Sequence, residues 1–509
     1  MRYIFMLLVL VLSFISGFYC LASAEPSKNY IAVNEGADTK RILAIFEEIS
    51  QVPRCSKEEG PISAWLVRWA QERNLAVKTD KFNNVIISVP ASRGYEDRPV
   101  VALQAHMDMV CQKSAQSTHN FSSHPIQLVR DGELLRAKST TLGADDGIGV
   151  AIALFLAENP DVERPALELL FTTDEEMDMS GAAGLASDIL LAERFINIDS
   201  EAEGFVTLGS AGGVKIEILL PLNFVPLTTG IEAYTLSISG LKGGHSGLEI
   251  DKNRPNANVL LAQALHKAPP LQIISFAGGS ADNAITMDSV AVFALPAGSA
   301  PALQEKIALF EQELRQEYSD ETNLEVALNP VAELPKKALS LNDSDNLLGL
   351  ILAIPQGVYE WSKTFPGLPE TSNNIGISET RDGELRLVVF HRSFNPQRLA
   401  ELAQKIEATA KMSGATSKRR SEFPTWPPNP NSVLYKKALA AYERAFNSTL
   451  RTEVLHAGLE CGFIAEKYPH MEIISIGPTM RYVHTPSEHL FVPSVERILL
   501  FLRGLLKDL

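Results

Sequence analysis

The chain has 509 residues, more than one hydrophobic core usually supports, so we expect at least two domains. It is 45% apolar and 21% charged, and 46 Lys and Arg against 61 Asp and Glu give a net charge of −15. This balance argues against nucleic acid as a partner, because binding to a phosphate backbone needs basic patches.

The N-terminus has the order of a secretory signal. Arg2 is followed by an apolar run from Tyr3 to about Cys20 and then by the small residues Ala22-Ser23-Ala24, which predicts cleavage after Ala24. An uncleaved membrane anchor is the alternative, because the apolar run nearly reaches spanning length. Cleavage is favoured because polar sequence follows at once. We therefore expect an exported protein, periplasmic or secreted, with no stable membrane span after cleavage.

Residues 38–215 alternate between helical and strand patterns. "DTKRILAIFEEISQV" and "GPISAWLVRWAQERN" have amphipathic helical periodicity, and "GADDGIGVAIALFLAEN" predicts a helix entered from a glycine-containing loop. "NVIISVPA", "VVALQAHMDMV", "LELLFTT" and "FINIDS" are typical of strands. The alternation predicts an α/β sheet with helices packed on it.

A second block begins near Lys215 and has a β-α-β-β-α-β order, which is typical of a ferredoxin-like α+β layer. The strand "ELRLVVFHRSFN" closes this block, and helix–strand alternation then returns. We therefore predict that the second block is inserted into the first domain. The expected ranges are 1–24 for the signal peptide, 25–214 and 395–509 for the two parts of the first domain, and 215–394 for the inserted domain.

Three cysteines remain after signal cleavage: Cys55, Cys111 and Cys461. Their odd number and wide spacing do not describe a disulfide framework, and none has metal-site spacing with another. They are interpreted as buried thiols, with a single disulfide pair left open.

Polar residues recur where an apolar segment ends or a helix begins. These residues are His106, Asp108, Asp145, Asp146, Glu175, Glu176, Asp199 and His484. The carboxyl ends of strands in an α/β sheet lie along one edge, where such folds bind ligands, so we expect these side chains to converge. Each has a structural alternative: an aspartate before a helix is most often an N-cap, and paired glutamates are usually a solvated face.

Taken together, two histidines and several carboxylates at one sheet edge indicate a metal site. Imidazole and carboxylate without cysteine suit zinc, and also manganese or cobalt. More than four such groups suggest two ions that share a carboxylate, as in hydrolytic two-metal sites.

The motifs "HMDMV", "TTLGADDGIG", "TTDEEMDMSGA", "NIDSEAEG", "SGLKGGHSG", "ETSNNIG" and "HAGLECG" resemble the aminoacyl-histidine dipeptidase family. This family, also called the cytosol non-specific dipeptidases, belongs to the di-zinc peptidases that include peptidase T and the aminoacylases. The similarity runs in the same order from about residue 40 to near the C-terminus. It implies a zinc-peptidase-like catalytic domain, a mixed sheet flanked by helices, with an inserted α+β ferredoxin-like lid and dimerisation domain.

The resemblance also implies roles for individual residues. His106 and Asp199 would bind one zinc ion, Glu176 and His484 the other, and Asp145 would bridge both, while Asp108 would orient His106 and Glu175 would act as general base. A bridging water loses a proton readily between two divalent cations, and Glu175 would accept that proton and later deliver it to the leaving amine.

Three residues of the inserted block are candidates for substrate binding. His245 lies in the glycine-rich "GGHSG", where the resemblance implies a lid histidine that stabilises the oxyanion, although a structural turn histidine fits equally well. Arg392 is a candidate clamp for the substrate carboxylate, with a surface arginine as the alternative. Asn374 and the "HAGLECG" loop are expected to line the pocket.

The expected protein is a di-zinc dipeptidase for unblocked dipeptides, including Xaa-His and carnosine-type substrates, and a homodimer through its lid domain. Cobalt or manganese is the alternative metal. Alternative functions are an N-acyl amino-acid deacylase on the same scaffold and an exported, non-catalytic peptide-binding protein. The binding protein is disfavoured because Glu175 and all five expected ligands are present. The relatives are typically cytosolic, so the export signal is a departure from the family.

Overall fold

Two hydrophobic cores organise the chain, of which a computed structural model describes residues 36–509. The signal peptide expected at residues 1–24 lies outside the described part. The first core combines residues 42–208 with residues 434–509, whereas the second is built from residues 214–415. The chain therefore leaves the first layer, forms the second and returns, which confirms the predicted inserted α+β layer.

The first layer is an eight-stranded mixed sheet. In spatial order its strands are Ala76–Thr79, Val85–Val89, Leu167–Thr172, Val101–His106, Arg194–Asn197, Glu472–Ser475, Phe205–Ser210 and Arg451–Leu455. The four strands from Leu167–Thr172 to Glu472–Ser475 are parallel neighbours. Every residue of Val101–His106 is buried, as expected for a parallel strand that has helices on both faces of its sheet.

Helices cover this sheet. They span Ala37–Ser50, Gly60–Glu72, Ala144–Glu158, Ser180–Gly184, Val433–Phe446, Cys461–Lys467 and Val492–Asp508. Ala144–Glu158 is apolar on all sides and buried along nearly its whole length, because it packs against both the sheet and Ala37–Ser50. A small four-stranded sheet, ordered Met480–Arg481, His489–Phe491, Leu134–Ala137 and Leu128–Asp131, lies beside them.

The second layer is a nine-stranded antiparallel sheet with helices on it. Its main path is Glu325–Pro330, Ile231–Ser239, Ser289–Pro296, Gln272–Gly278, Pro369–Arg381, Glu384–Ser393, Gly212–Pro221 and Thr416–Phe423, and Gly357–Trp361 pairs with Pro369–Arg381. The first four strands have the order 4-1-3-2 in chain terms, and the helices Ala257–Lys267 and Ala300–Glu317 connect them. The predicted ferredoxin-like unit is therefore present, enlarged by further strands.

The remaining elements of the second layer are short, apart from two helices. They are the helices Leu341–Ala353 and Pro396–Met412, the 3-10 turn Ile250–Lys252, and the strand pairs Phe224–Pro226 with Lys337–Leu339 and Gly244–His245 with Ala284–Ile285.

The second layer extends beyond residue 394, where we expected it to end. Thr416–Phe423 pairs with Gly212–Pro221, and Pro396–Met412 buries Leu402 and Ile406 in the second core. An amphipathic helix has the same periodicity whichever core receives its apolar face, so the sequence pattern does not fix its layer. The strand pairing makes the layer run from about residue 212 to residue 423.

Cys55 and Cys111 form a disulfide, with their Cα atoms 5.7 Å apart, so they are the pair that the sequence left open. Their interpretation as buried thiols is wrong, because the loop after Arg54 runs beside Met109 and brings the two cysteines together. Cys461 is a buried free thiol. Across residues 36–509 we find no helix with both the length and the apolar character needed to cross a membrane.

Candidate metal centre

Four parallel strands deliver the predicted site residues to one sheet edge. His106 ends its strand, Glu175 follows Thr172 by three residues, and Asp199 follows Asn197 by two. His484 comes nine residues after Ser475, between the short strands Met480–Arg481 and His489–Phe491. Their side chains meet as expected, because parallel strands present their carboxyl ends on the same side.

Asp145 lies between the two histidines. Its Oδ1 is 3.0 Å from Nε2 of His106, and its Oδ2 is 3.1 Å from Nε2 of His484. Each oxygen therefore faces a different imidazole, and this is the arrangement that a carboxylate shared by two ions requires.

Two further carboxylates complete the cluster. Oε2 of Glu176 is 2.8 Å from Nε2 of His484, and Oδ1 of Asp199 is 3.5 Å from Nε2 of His106. Three groups offer ligand atoms within 4.8 Å of one another: His106 with Asp145 and Asp199, Asp145 with Glu176 and His484, and His106 with Glu175 and Glu176. The first two groups share Asp145 and coincide with the ligand sets expected from the sequence.

The residues of this cluster fit divalent cations. Two ligand atoms about 2.1 Å from a tetrahedral ion lie about 3.4 Å apart, and the nitrogen–oxygen distances here run from 2.8 to 3.5 Å. Oε1 of Glu176 is buried without a hydrogen-bond partner among the described residues. Burial of a carboxylate oxygen without a partner is unfavourable unless a hydrogen-bond donor or a cation lies beside it.

The electrostatics of the cluster also favour positive charge. Burial lowers the pKa of His484, but its contacts with Asp145 and Glu176 outweigh burial and raise that pKa to about 12. Burial raises the pKa of Asp199 to about 6, against the opposing effect of His106. This many carboxylates keep the histidines of the cluster protonated. Divalent cations bound at the same nitrogen atoms would replace those protons.

Asp108 organises the backbone of the site as well as one imidazole. It is fully buried, and its Oδ1 lies 3.4 Å from Nδ1 of His106. The same carboxylate accepts the backbone N–H groups of Glu175 at 3.1 Å and Glu176 at 3.3 Å, and the hydroxyl of Ser56 at 2.8 Å. One side chain thus holds the amides of the two adjacent glutamates and places its carboxylate beside the imidazole of His106.

Glu175 carries a carboxyl group suited to accept a proton. Burial, followed by the negative charges of Glu176, Asp199 and Glu460, raises its pKa well above the usual value, although His106 opposes this. A carboxylate with a raised pKa is a stronger base than an ordinary one. Burial raises the pKa of Glu176 as well, but Oε2 of Glu176 contacts His484, so the two adjacent glutamates differ in their partners.

The other two acids of "TTDEEMDMSG" hold the loop in shape. Asp174 adopts a positive φ of 61° and accepts hydrogen bonds from Lys57 and from the hydroxyl of Ser180. Asp178 is exposed and accepts from the same Lys57 at 2.9 Å. These residues join the loop that carries Glu175 to the segment that follows Arg54.

The predicted substrate residues lie in the second layer. Nδ1 of His245 accepts the N–H groups of Gly247 and Leu248, so the proton of the neutral ring lies on Nε2. Burial and the nearby charge of Arg392 lower the pKa of His245 to about 4, which keeps the ring neutral near pH 7. His245 is thus arranged as a hydrogen-bond donor.

Arg392 is buried, and its guanidinium packs 3.9 Å from the ring centre of Phe390. Because Arg392 is buried, the alternative of a surface arginine is excluded. Its Nε has no hydrogen-bond partner in the described chain. Asn374 differs, because its side chain accepts from Asn256 and donates at 2.7 Å to the carbonyl of Ala284, the residue paired with His245. Asn374 therefore supports the strand of His245.

The loop of residues 456–462 connects the two layers. Nε2 of His456 lies 2.7 Å from the hydroxyl of Ser372 in the second layer. Glu460, four residues later, accepts from Gln104 at 2.7 Å and Thr172 at 2.6 Å, at the ends of the strands that carry the metal cluster. The loop therefore contacts both the second layer and the strands that carry the metal cluster.

Sequence reasoning missed five residues that organise the site. They are Arg54, Ser56, Lys57, Glu460 and Glu488. Charged residues buried beside ligands are recognisable only once partners distant in sequence are known. Glu460 lies in a quoted motif, which was a signal for it, whereas the other four lie outside the motifs.

The sequence model described as Peptidase family M20/M25/M40 matches residues 102–508. A curated relative, the cytosol non-specific dipeptidase of Escherichia coli strain K12, is 37% identical over 469 residues, which cover 91% of this chain and 96% of the relative.

Solved structures with the same fold include peptidases. Aminoacylhistidine dipeptidase from Vibrio alginolyticus superposes with a TM-score of 0.87 at 33% identity, covering 92% of this chain and 96% of that one. Aminopeptidase PepT from Bacillus cereus has a TM-score of 0.53 at 15% identity, with 92% and 98% coverage, and shows the likeness of fold alone.

One expectation from the sequence is overturned by these comparisons. The N-terminal pattern led us to expect export to the periplasm or the medium, whereas the Escherichia coli relative is named as an enzyme of the cytosol. The expectation of export is therefore wrong. An early cation followed by an apolar run and small residues is a local pattern, and it carries no information from the rest of the chain.

Proposed function

The chain belongs to Peptidase family M20/M25/M40, and from this premise we propose that it is a di-zinc dipeptidase that hydrolyses unblocked dipeptides, including Xaa-His and carnosine-type substrates. The observation that carries the proposal is the position of Asp145 between His106 and His484, with one carboxylate oxygen toward each imidazole. The relatives named above as dipeptidases support the same reaction.

Five side chains would hold the two ions. His106 and Asp199 would hold one ion, Glu176 and His484 would hold the other, and Asp145 would contribute to both. Bound divalent cations polarise the scissile carbonyl and lower the pKa of water. Imidazole and carboxylate donors suit zinc, and cobalt and manganese accept the same donors, so the metal content of the purified protein decides among them.

Glu175 serves as general base. Its carboxylate takes a proton from the attacking water and passes it to the amine that leaves. Asp108 supports this transfer because it holds the amides of Glu175 and Glu176 and faces Nδ1 of His106. Its own place is fixed by burial and by the hydroxyl of Ser56.

The second layer, residues 212–423, acts as a lid over the dipeptide. The Nε2 proton of His245 is available to the carbonyl oxygen as negative charge develops there. The buried guanidinium of Arg392 binds the substrate's terminal carboxylate, which presents two oxygens to a planar fork of donors. Asn374 holds the strand of His245 in position.

A substrate panel tests the proposal against its alternatives. The full chain is assayed on Ala-His, carnosine and N-acetyl amino acids, with and without chelator. We expect chelator-sensitive hydrolysis of the dipeptides. Hydrolysis of the acetylated compounds alone would favour a deacylase, and metal binding without any hydrolysis would favour a peptide-binding protein. The similarity to dipeptidases over nine tenths of the chain supports the first outcome.

We propose also that two chains associate through the lid layer. Among residues 36–509, its outermost strand, Glu325–Pro330, pairs on one side only, with Ile231–Ser239. A strand edge with free backbone groups is a ready surface for pairing with another chain. Light scattering of the purified protein should give the mass of a dimer, and the mass of one chain would rule this association out.

A further inference from the structure

We propose that Glu488 is a positioning residue of the metal centre, because it fixes the backbone that presents Asp145 and joins it to the loop that presents His484. The inference rests on the proposed metal centre and extends it to a residue that binds no ion itself. Glu488 lies four residues after His484 and is almost fully buried.

The carboxylate of Glu488 accepts the amides that lead into Asp145. Its Oε2 accepts from Leu142 at 2.8 Å and from Gly143 at 3.0 Å. Its Oε1 accepts from Ala144 at 2.8 Å and, with a longer contact of 3.4 Å, from Asp145 itself. These four consecutive residues form the turn that precedes the regular part of the helix, because Asp145 and Asp146 have non-helical backbone angles. A side chain that accepts all four N–H groups therefore fixes the conformation of that turn.

Arg54 holds the same turn from its other side. Its guanidinium donates to the carbonyl of Gly143 and to the carbonyls of Met107 and Asp108, the latter at 2.9 Å. Gly143 has a φ of 69°, and a Cβ there would lie 2.5 Å from Nη2 of Arg54, so only glycine fits. The turn is therefore fixed through its amides by Glu488 and through its carbonyl by Arg54.

Both side chains that hold this turn are buried. They hold the same residue, Gly143, Arg54 through its carbonyl and Glu488 through its amide. A buried guanidinium or carboxylate is costly unless it is paired and hydrogen-bonded. Removal of the carboxylate would therefore leave the four amides without their acceptor.

The position of Glu488 in the chain couples two ligands. It lies between His484 and the strand His489–Phe491, and its own N–H donates to the carbonyl of Thr485 at 3.0 Å. His484 contacts both Asp145 and Glu176. A shift of Glu488 would thus change the distance between Asp145 and His484, on which the second ion site depends.

The test compares Glu488→Gln with Glu168→Gln in the metal-depleted full-length protein. Glutamine replaces one acceptor oxygen by an NH2 group, which would face amide donors. Glu168 is a matched control, because it is also buried and accepts two amides, from Leu191 at 2.8 Å and Ala192 at 3.0 Å, at the opposite end of its strand from the metal cluster. Zn2+ and Co2+ are titrated, with the visible spectrum of bound Co2+ and the melting temperature as further readouts.

We expect Glu488→Gln to weaken metal affinity by about 10- to 100-fold and to change the Co2+ spectrum. Glu168→Gln should lower the melting temperature while affinity and spectrum stay those of the wild type. Should Glu488→Gln not fold, Glu488→Asp keeps the charge on a shorter side chain and should show a smaller loss of affinity with an altered spectrum.

Wild-type affinity and spectrum in the folded Glu488 variant would overturn the inference. If the wild-type chain itself takes up fewer than two ions, the proposed metal centre fails, and the inference fails with it. The wild-type titration therefore separates the two failures.

Discussion

At the scale of single residues, Glu175 and Glu176 show how adjacent and identical side chains acquire different chemistry. The amides of both donate to Asp108. Oε2 of Glu176 contacts His484 at 2.8 Å, which makes it a metal ligand in the proposed site. Burial raises the pKa of both glutamates, and that of Glu175 is raised well above the usual value, which suits a base.

Replacing Glu175 by glutamine should therefore lower kcat for Ala-His by about 100- to 10,000-fold, the usual contribution of a general base. Metal content should stay that of the wild type, because Glu175 is not one of the five proposed ligands. Asp178→Asn is the control on the same loop, since its side chain is 70% exposed and pairs only with Lys57 among the described contacts. Unchanged kcat in Glu175→Gln would refute the assigned role.

The part of the site that could be predicted from the sequence consists of residues that directly follow predicted strands. His106, Glu175, Glu176 and Asp199 could be placed in this way, because the carboxyl ends of parallel strands share an edge. Arg54 and Glu488 could not, because their roles depend on the turn at Gly143, distant in sequence from both. The family resemblance added the role of His245, whereas the role of Arg392 was inferred from the bidentate binding of carboxylates by guanidinium groups.

At the scale of elements, the helix Ala144–Glu158 connects the metal cluster to the outer helices. Asp145 lies at its start, and Glu158 lies at its end, where Arg41 at 2.7 Å and Arg73 at 2.9 Å bind it. A carboxylate at a helix C-terminus is unfavourable with the helix dipole, and the two arginines offset this effect.

Glu158 should make a pH-dependent contribution to stability. Burial raises its pKa, but the hydrogen bonds from Arg41 and Arg73 outweigh burial and lower it below the ordinary value. A lowered folded-state pKa means that the contribution is complete above the unfolded pKa of about 4.3 and is lost as the pH falls through the folded pKa.

Glu158→Gln should therefore reduce the free energy of unfolding by about 1 kcal/mol at pH 7. The difference from the wild type should shrink below about pH 4.3. Urea unfolding of both proteins at several pH values measures it, and a difference that grows toward acid pH would contradict the assignment.

The disulfide between Cys55 and Cys111 is a second stabilising feature at the scale of elements. It closes a loop with a sequence separation of 56 and joins the residue after Arg54 to the segment that follows Met109. Closing such a loop stabilises the folded state mainly by restricting the unfolded chain.

Replacing Cys55 and Cys111 by serine together should lower stability by about 2–5 kcal/mol. Reductant should lower the melting temperature of the wild type and leave that of the double variant unchanged. Cys461→Ala, which removes the buried free thiol, provides the matched control that stays sensitive to reductant. A wild-type protein that shows free thiols after reduction but melts at the same temperature would contradict the prediction.

At the scale of the whole molecule, two layers with separate cores contribute different parts of the proposed site. The first layer carries the metal cluster, and the second carries His245 and Arg392. The order of the layers along the chain followed from the change in pattern near residue 215. The point after residue 394 at which the second layer ends could not be predicted, because it depends on the pairing of Thr416–Phe423 with Gly212–Pro221.

Arg392→Met tests whether the layers act on one substrate. Loss of a charge-assisted hydrogen bond worth about 1.5–3 kcal/mol should raise KM for Ala-His by about 10- to 100-fold. Metal content should stay that of the wild type. An Ala-His amide, which lacks the terminal carboxylate, should be hydrolysed equally by both proteins. A variant equally impaired on both substrates would show that Arg392 does not bind the carboxylate.

The measurement that tests the central claim most directly is hydrolysis of Ala-His by the metal-depleted full chain during titration with Zn2+. Bound metal is counted in the same samples. The account predicts negligible hydrolysis without metal, two ions bound per chain at saturation, and recovery of activity as both are bound. Undiminished hydrolysis by the metal-depleted chain, or saturation at a single ion, would contradict it.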